Sequence, residues 1–188
     1  IPTDSPKRIA VVGAGPAGLA FSHIAAMRGH NVTLYESDDK LGGQFNYAKI
    51  IPGKADYGET IRFYTEMMKK YKVNIALNHR VEADYLVQED FDEIILADGI
   101  EPRQLDIEGH NHAKVVSYTD VLSQKVIIGN KAAIIGAGGI GFDIATYLTS
   151  QPPKTDEINA FLKAWGVDQN YQQAGGLQNP EPEAPTRE

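Results

Sequence analysis

The sequence has no cysteine in its 188 residues. It therefore cannot form a disulfide, a thiolate zinc site, a cysteine-ligated iron–sulfur cluster or a redox-active dithiol. Any redox chemistry would need a borrowed cofactor. No run of about 18 or more apolar residues occurs, so no segment reads as a membrane span. The first residues, Ile1-Pro2-Thr3-Asp4-Ser5, lack the charged-then-apolar order of a signal peptide. A reducing, cytoplasmic setting is the expectation. Positive charge is in the minority, 18 Lys and Arg against 25 Asp and Glu, for a formal net charge of −7. That balance argues against non-specific binding to nucleic acid or to anionic membranes and leaves small molecules and other proteins as partners. Gly 18 and Pro 10 are near ordinary usage, which excludes collagen-like and low-complexity chains. With 42% hydrophobic residues the chain can bury a core.

From Arg8 the sequence reads as a buried strand, Ile9-Ala10-Val11-Val12, followed by Gly13-Ala14-Gly15-Pro16-Ala17-Gly18 and a helix of small and apolar residues running to Arg28. Gly29 stops that helix, and a second strand, Asn31-Val32-Thr33-Leu34-Tyr35, ends at Glu36. The unit has the size of a parallel strand–helix–strand crossover. Glycines 13, 15 and 18 match G-x-G-x-x-G, and each has a task at a phosphate site. Gly13 permits the tight turn, Gly15 lets the backbone approach a pyrophosphate, and Gly18 allows close packing of helix on strand. The helix N-terminus adds free N–H groups and a positive dipole end. Glu36 stands where an acid accepts hydrogen bonds from ribose hydroxyls and repels a 2′-phosphate, so the first site favours FAD or NAD over NADP.

After the loop Leu41-Gly42-Gly43-Gln44, apolar residues Ile61, Tyr64, Met68 and Tyr71 fall on one face of a helix expected between Gly58 and Tyr71. Short strands are expected over Val73–Leu77, Glu93–Leu96 and Lys114–Ser117, and a helical turn or two over Tyr118–Ser123. At Lys131 the opening pattern recurs. Ala132-Ala133-Ile134-Ile135 reads as a strand, Gly136, Gly138 and Gly141 as a second G-x-G-x-x-G turn, and Phe142–Leu148 as a helix. A further helix is expected over Asp156–Trp165, and loop or disorder beyond it. The fold class is therefore α/β: a Rossmann-like domain with a parallel sheet over residues 7–130, the first strand–helix portion of a second such domain over 131–165, and a loop or disordered tail over 166–188. A lone strand–helix pair cannot bury its own faces. That pair, and an initial Ile where Met would be expected, lead to the expectation that this chain is part of a longer polypeptide.

Two dinucleotide fingerprints with Leu41-Gly42-Gly43-Gln44 shortly after the acid resemble the two-dinucleotide-binding-domain flavoproteins, a superfamily in which the first site holds FAD and the second NAD(P)H. The resemblance narrows over Val12–Ala20, Gly42-Gly43-Gln44-Phe45-Asn46, Ile51-Pro52-Gly53-Lys54, Ala133–Gly136 and Gln172-Gln173-Ala174-Gly175-Gly176-Leu177. Together these resemble the bacterial NADPH-dependent 2,4-dienoyl-CoA reductase family over essentially the whole chain. The resemblance implies a C-terminal flavin module that binds FAD and NADP. In that family it follows a TIM-barrel domain carrying FMN and a 4Fe–4S cluster, both expected only in that preceding part. The implied activity is an oxidoreductase relay in fatty-acid β-oxidation: NADPH gives a hydride to FAD, electrons pass singly through the cluster to FMN, and the dienoyl thioester is reduced. The resemblance further implies FAD contacts at Ala17, Glu36, Gly43, Gln44, Lys54 and Val81, beside Gly13, Gly15 and Gly18. It implies pyridine-nucleotide contacts at Gly136, Gly138 and Gly141. It assigns no catalytic residue to this module.

The sequence departs from the superfamily at Ala97-Asp98-Gly99, where a small hydroxyl residue between Ala and Gly is more usual. A carboxylate there is repelled by a pyrophosphate unless it is turned away or paired. Two other readings of the same glycines and Glu36 stay open: a structural ADP-binding module like that of the related trimethylamine dehydrogenases, and the electron-input flavoprotein of a glutamate synthase. His110 and His112, two apart in a polar loop with no third ligand in view, read as solvated rather than as metal ligands.

Overall fold

The computed structural model describes residues 2–103, 105–150 and 158–178. By its internal contacts the chain divides into two compact units, Ile1–Val116 and Ser117–Glu188.

The first unit is built on four parallel strands: β1 (Arg8–Val12), β2 (Asn31–Tyr35), β3 (Asn74–Ala76) and β4 (Glu93–Leu96), in the spatial order β3-β2-β1-β4. Helix α1 (Pro16–Met27) joins β1 to β2. Helices α2 (Phe45–Ala48) and α3 (Tyr57–Lys70) lie between β2 and β3, and α4 (Ala83–Gln88) leads into β4. β1 pairs with β2 through Arg8 opposite Asn31 to Val12 opposite Tyr35, and with β4 through Ile9 opposite Glu93 to Val12 opposite Leu96. The chain thus winds outward through β2 and β3, then returns to the far side of β1. That reversal makes the carboxyl ends of β1 and β4 the switch point where open α/β sheets leave a crevice for ligands.

Both faces of the sheet are covered at β1 and β2, and the alternation along β1 makes this possible. Ile9 and Val11 pack with Leu19, Ala25 and Ala26 of α1, Val32 and Leu34 of β2, and Met68 of α3. Ala10, between them in sequence, faces the other way and packs with Tyr35 and with Leu86 of α4. The small buried residues of α1, Gly18, Ser22, Ala25 and Ala26, let the helix lie close on the sheet. Pro16 starts that helix at its first turn, and Gly29, at φ 100°, ends it with a hydrogen bond from its N–H to the Ala26 carbonyl of 2.9 Å. Helices α2 and α4 carry too few turns to leave a periodic signal and are absent from the expectations above.

The second unit holds α5 (Tyr118–Leu122), capped by the Ser117 hydroxyl, then α6 (Gly139–Thr149), α7 (Ile158–Ala164) and a 3₁₀ turn, Ala174–Gly176. Two sequence expectations are corrected here. Ala132–Ile135 is no strand: the segment is unladdered and exposed, because no described segment pairs with it and a strand without a partner has no ladder bonds. Lys114–Ser117 likewise forms no strand. Beyond Trp165 the described chain is loop with one 3₁₀ turn, held by its own bonds: Val167 bridges Leu177, and the buried Asp168 carboxylate accepts hydrogen bonds from the N–H groups of Asn170, Gln172 and Gln173 at 3.0, 2.6 and 2.7 Å. The expected helix start at Asp156 lies outside the described residues, as does 179–188.

Tyr35, only 5% exposed, sits in an aromatic group with His79, Tyr85 and Phe91 at ring separations of 5.3, 6.0 and 6.4 Å. Burial first, and the neighbouring Tyr85 hydroxyl second, push the Tyr35 phenol up to about 12. The unfolded phenol ionises near 10, so between about pH 10 and 12 the folded chain holds a proton that the unfolded chain has released. Stability should therefore fall as pH rises through that window. Urea unfolding at about pH 9 and about pH 11 should give a larger loss for the wild type than for Tyr35→Phe.

Candidate functional site

The loop from Val12 to Gly18 leaves the carboxyl end of β1 in a conformation that its three glycines make possible. Gly13 is at φ 99°, a region costly for other residues, and a Cβ there would strike the carbonyl oxygen of Ala97 at the end of β4. A Cβ on Gly18 would strike the carbonyl oxygen of Gly13, so α1 can pack this closely on the loop only with glycine there. Gly15 differs from both. It is the N-cap of α1 at φ −70°, and a Cβ on it would meet no heavy atom within 4 Å beyond its chain neighbours. The fold therefore needs Gly13 and Gly18 for its own packing, whereas the bareness of Gly15 faces open space at a helix N-terminus. Ala17 follows in the first turn of α1, where backbone N–H groups have no partner within the helix.

Glu36, at the end of β2, is 8% exposed, and its carboxylate is turned into this loop. Oε2 accepts from the backbone N–H of Ala14 at 2.7 Å, while Oε1 accepts from the N–H of Asp38 at 2.9 Å and from the Ser37 hydroxyl at 3.1 Å. Its own backbone is used as well: Glu36 N–H donates to the Ala76 carbonyl at 2.9 Å, and its carbonyl accepts from His79 N–H at 2.8 Å. A buried carboxylate is tolerated because it is this fully bonded.

A second loop closes on the first. Gly42 N–H donates to the Ala14 carbonyl at 2.8 Å, and a Cβ on Gly43 would lie 2.9 Å from Gly15 Cα. The side-chain amide of Gln44 donates to the Ile100 carbonyl, 3.2 Å away, just past β4. Gly13, Gly15, Gly18, Glu36, Gly43 and Gln44 are thus gathered at the carboxyl ends of β1, β2 and β4. Val81 packs on the Tyr35 side of the sheet, with Ala10 and Leu86. Lys54 stands in the turn between α2 and α3, its N–H bonded to the Ile51 carbonyl at 2.9 Å. Asp98 is exposed, but its Cα is 3.0 Å from where a Cβ on Gly13 would stand, so it borders the loop. Sequence reasoning missed Ser37 and the backbone of Ala14 and Ala97. Ser37 follows the acid directly and could have been noticed; main-chain partners leave no mark in residue type.

The second glycine turn, in the other unit, repeats the local geometry of the first. Gly136 is at φ 115°, Gly138 is the N-cap of α6 in extended conformation, and a Cβ on Gly141 would strike the Gly136 carbonyl oxygen. Gly138, like Gly15, has open space beside it. His110 Nδ1 lies 2.8 Å from the Ile107 carbonyl, and His112 Nδ1 accepts from Lys114 N–H at 3.1 Å. Among the described residues no three His, Asp or Glu side chains gather as a metal site would need, and no helix is long and apolar enough to cross a membrane.

Comparison with known proteins finds the family model described as pyridine nucleotide-disulphide oxidoreductase over residues 7–158. The cinnamate reductase of Clostridium sporogenes is 37% identical over 150 residues, 77% of this chain and 22% of the relative. The bilirubin reductase of Mediterraneibacter gnavus is 31% identical over 147 residues, 78% of this chain and 23% of the relative. Among solved structures, 2-naphthoyl-CoA reductase in complex with 2-naphthoyl-CoA matches with a TM-score of 0.75 at 36% identity, covering 78% of this chain and 22% of that one. The chain thus spans less than a quarter of the length of these relatives.

The two kinds of glycine should separate in experiment. Gly18→Ala, which must push α1 off the loop, should cost about 2 kcal/mol of stability. Gly15→Ala should stay within about 1 kcal/mol of the wild type. Chemical denaturation of both variants checks this, and a Gly15→Ala chain as damaged as Gly18→Ala would refute the division of roles.

Proposed function

The chain belongs to the pyridine nucleotide-disulphide oxidoreductase family, and from that premise we propose that it binds FAD at the Gly13–Gly18 loop as the flavin module of a larger NADPH-dependent reductase. The observation that carries this reading is the buried Glu36 carboxylate bonded to Ala14 N–H beneath a loop whose Gly15 faces open space. A pyrophosphate needs bare backbone at a helix N-terminus, and an adenosine ribose needs an acceptor beside it; both are present within one strand end of each other. The residues therefore fit the adenosine and phosphate half of FAD.

When bound, FAD would supply hydride acceptance and release of electrons one at a time, chemistry that a chain without cysteine cannot supply from its own side chains. In this reading the protein's part is to bind and orient. Gly13, Gly15, Ala17 and Gly18 offer backbone to the phosphates, Glu36 accepts from the ribose, and Val81 borders the adenine. Gly43, Gln44 and Lys54 serve the rest of the cofactor through backbone and polar groups. Gly136, Gly138 and Gly141 repeat the turn for the pyridine nucleotide, NADP in the resemblance. The electrons would then leave for an iron–sulfur and FMN domain of the same polypeptide. The acceptor would be a 2,4-dienoyl-CoA thioester in fatty-acid β-oxidation. The 36% identity to a reductase named for an acyl-CoA thioester supports that substrate class.

The ADP-module reading draws on one observation: Glu36 and the glycines serve only the half of the ligand that FAD and ADP share. Heating the purified chain and identifying released nucleotide by chromatography and absorbance decides between them. FAD is the expected finding; ADP alone would favour the structural module, and a chain that neither carries FAD nor takes it up would overturn the proposal. Asp98 supplies a second test. Its main chain borders the loop that would take the phosphates, so Asp98→Asn should tighten FAD binding several-fold by removing like-charge repulsion. The gain should shrink as salt is raised in a fluorescence titration.

A further inference from the structure

The bonding around Glu36 assigns a role to its neighbour, one that rests on the nucleotide reading above. A carboxylate offers about four acceptor positions, two on each oxygen. Oε1 has both in use, taken by the Asp38 N–H at 2.9 Å and the Ser37 hydroxyl at 3.1 Å. Oε2 accepts from Ala14 N–H at 2.7 Å, which leaves it one further acceptor position. We propose that Ser37 is a positioning residue: its hydroxyl fixes the plane of the Glu36 carboxylate so that Oε2, the oxygen tied to the phosphate loop, takes a ribose hydroxyl of the adenosine nucleotide.

Three features carry this. Ser37 itself is exposed, so its hydroxyl has water as an alternative partner, yet it turns back onto a buried charge. A hydrogen bond to a charged acceptor is stronger than one between neutral groups, which justifies that choice. The carboxylate's third χ angle is otherwise soft, a broad torsion that two bonds on Oε1 hold better than one. The Ala14 bond alone fixes one oxygen's distance from the loop and leaves rotation about that contact. Ser37 and the Asp38 N–H together remove the rotation and aim the free position of Oε2. Ser37 thus acts through Glu36 and touches no ligand itself.

The test uses the 188-residue chain and two probes, ADP and 2′,3′-dideoxy-ADP, titrated calorimetrically into wild type, Ser37→Ala, Ser37→Thr and Glu36→Gln. Ser37→Ala should weaken ADP binding by about three- to tenfold and leave the dideoxy analogue unchanged, because only the hydroxyl contact is lost. Ser37→Thr, which keeps the hydroxyl, should restore ADP binding. Equal loss for both probes would mean that Ser37 merely supports the loop, and an unchanged ADP affinity would mean that it does nothing for the carboxylate; either result overturns the proposal. If wild type binds ADP and Glu36→Gln does not, the nucleotide reading stands whatever Ser37 does. If wild type binds neither probe, that reading falls and this one with it.

Discussion

Glu36 joins three strands of the sheet through every polar group it has. Its N–H and carbonyl tie the end of β2 to the segment that leaves β3, and its carboxylate ties β2 to the loop that leaves β1. At 8% exposure the charge would be costly alone. It is kept because three donors meet it, and in return the Ala14 peptide is held where the Gly13 turn requires. The loop is thereby shaped by the protein's own bonds. A ligand arriving there meets a conformation already made, and the ordering cost has been met in folding.

Topology places that loop at the switch point of the sheet. β1 lies between β2 and β4, and the chain leaves β1 toward one side while β4 arrives on the other. Connections diverge at this point, which is where open α/β sheets leave room for a ligand. Gly13 against Ala97 and Gly43 against Gly15 then bring backbone to backbone so closely that side chains are excluded. What remains exposed is main chain: amide groups at the start of α1, with the one bare Cα at Gly15 beside open space. Such a surface suits an anion that must come near the backbone, and it suits little else.

The same turn is made again at Gly136, with no strand among the described residues beneath it. Gly136 and Gly141 pack on each other as Gly13 and Gly18 do, and Gly138 caps α6 as Gly15 caps α1. The glycine turn is therefore a local property of its sequence. The strand before it is not. Ala132–Ile135 carries the composition of a buried strand and yet forms none, because a ladder needs a neighbour and no described segment supplies one. Exposed Ile134 and Ile135 are the consequence, at 42% and 65% of their full accessibility.

Local sequence determined what depends on near neighbours. The runs Ile9–Val12 and Val32–Tyr35 specify buried strands because they are apolar but for Thr33, and Pro16 and Gly29 delimit α1 because one lacks an N–H and the other tolerates positive φ. The glycines at 13 and 18 were legible because only glycine meets the backbone demands there, and Gly15 and Glu36 because their spacing completes the fingerprint. Tertiary structure alone decided the rest. It set the order β3-β2-β1-β4, left Ala132–Ile135 without a ladder, and closed the chain after Trp165 around Asp168. It also brought the main chain of Ala14 against Glu36 and that of Ala97 against Gly13. Those contacts depend on which segments meet in space, and a main-chain N–H or carbonyl is the same at every residue, so no pattern along the chain could announce them.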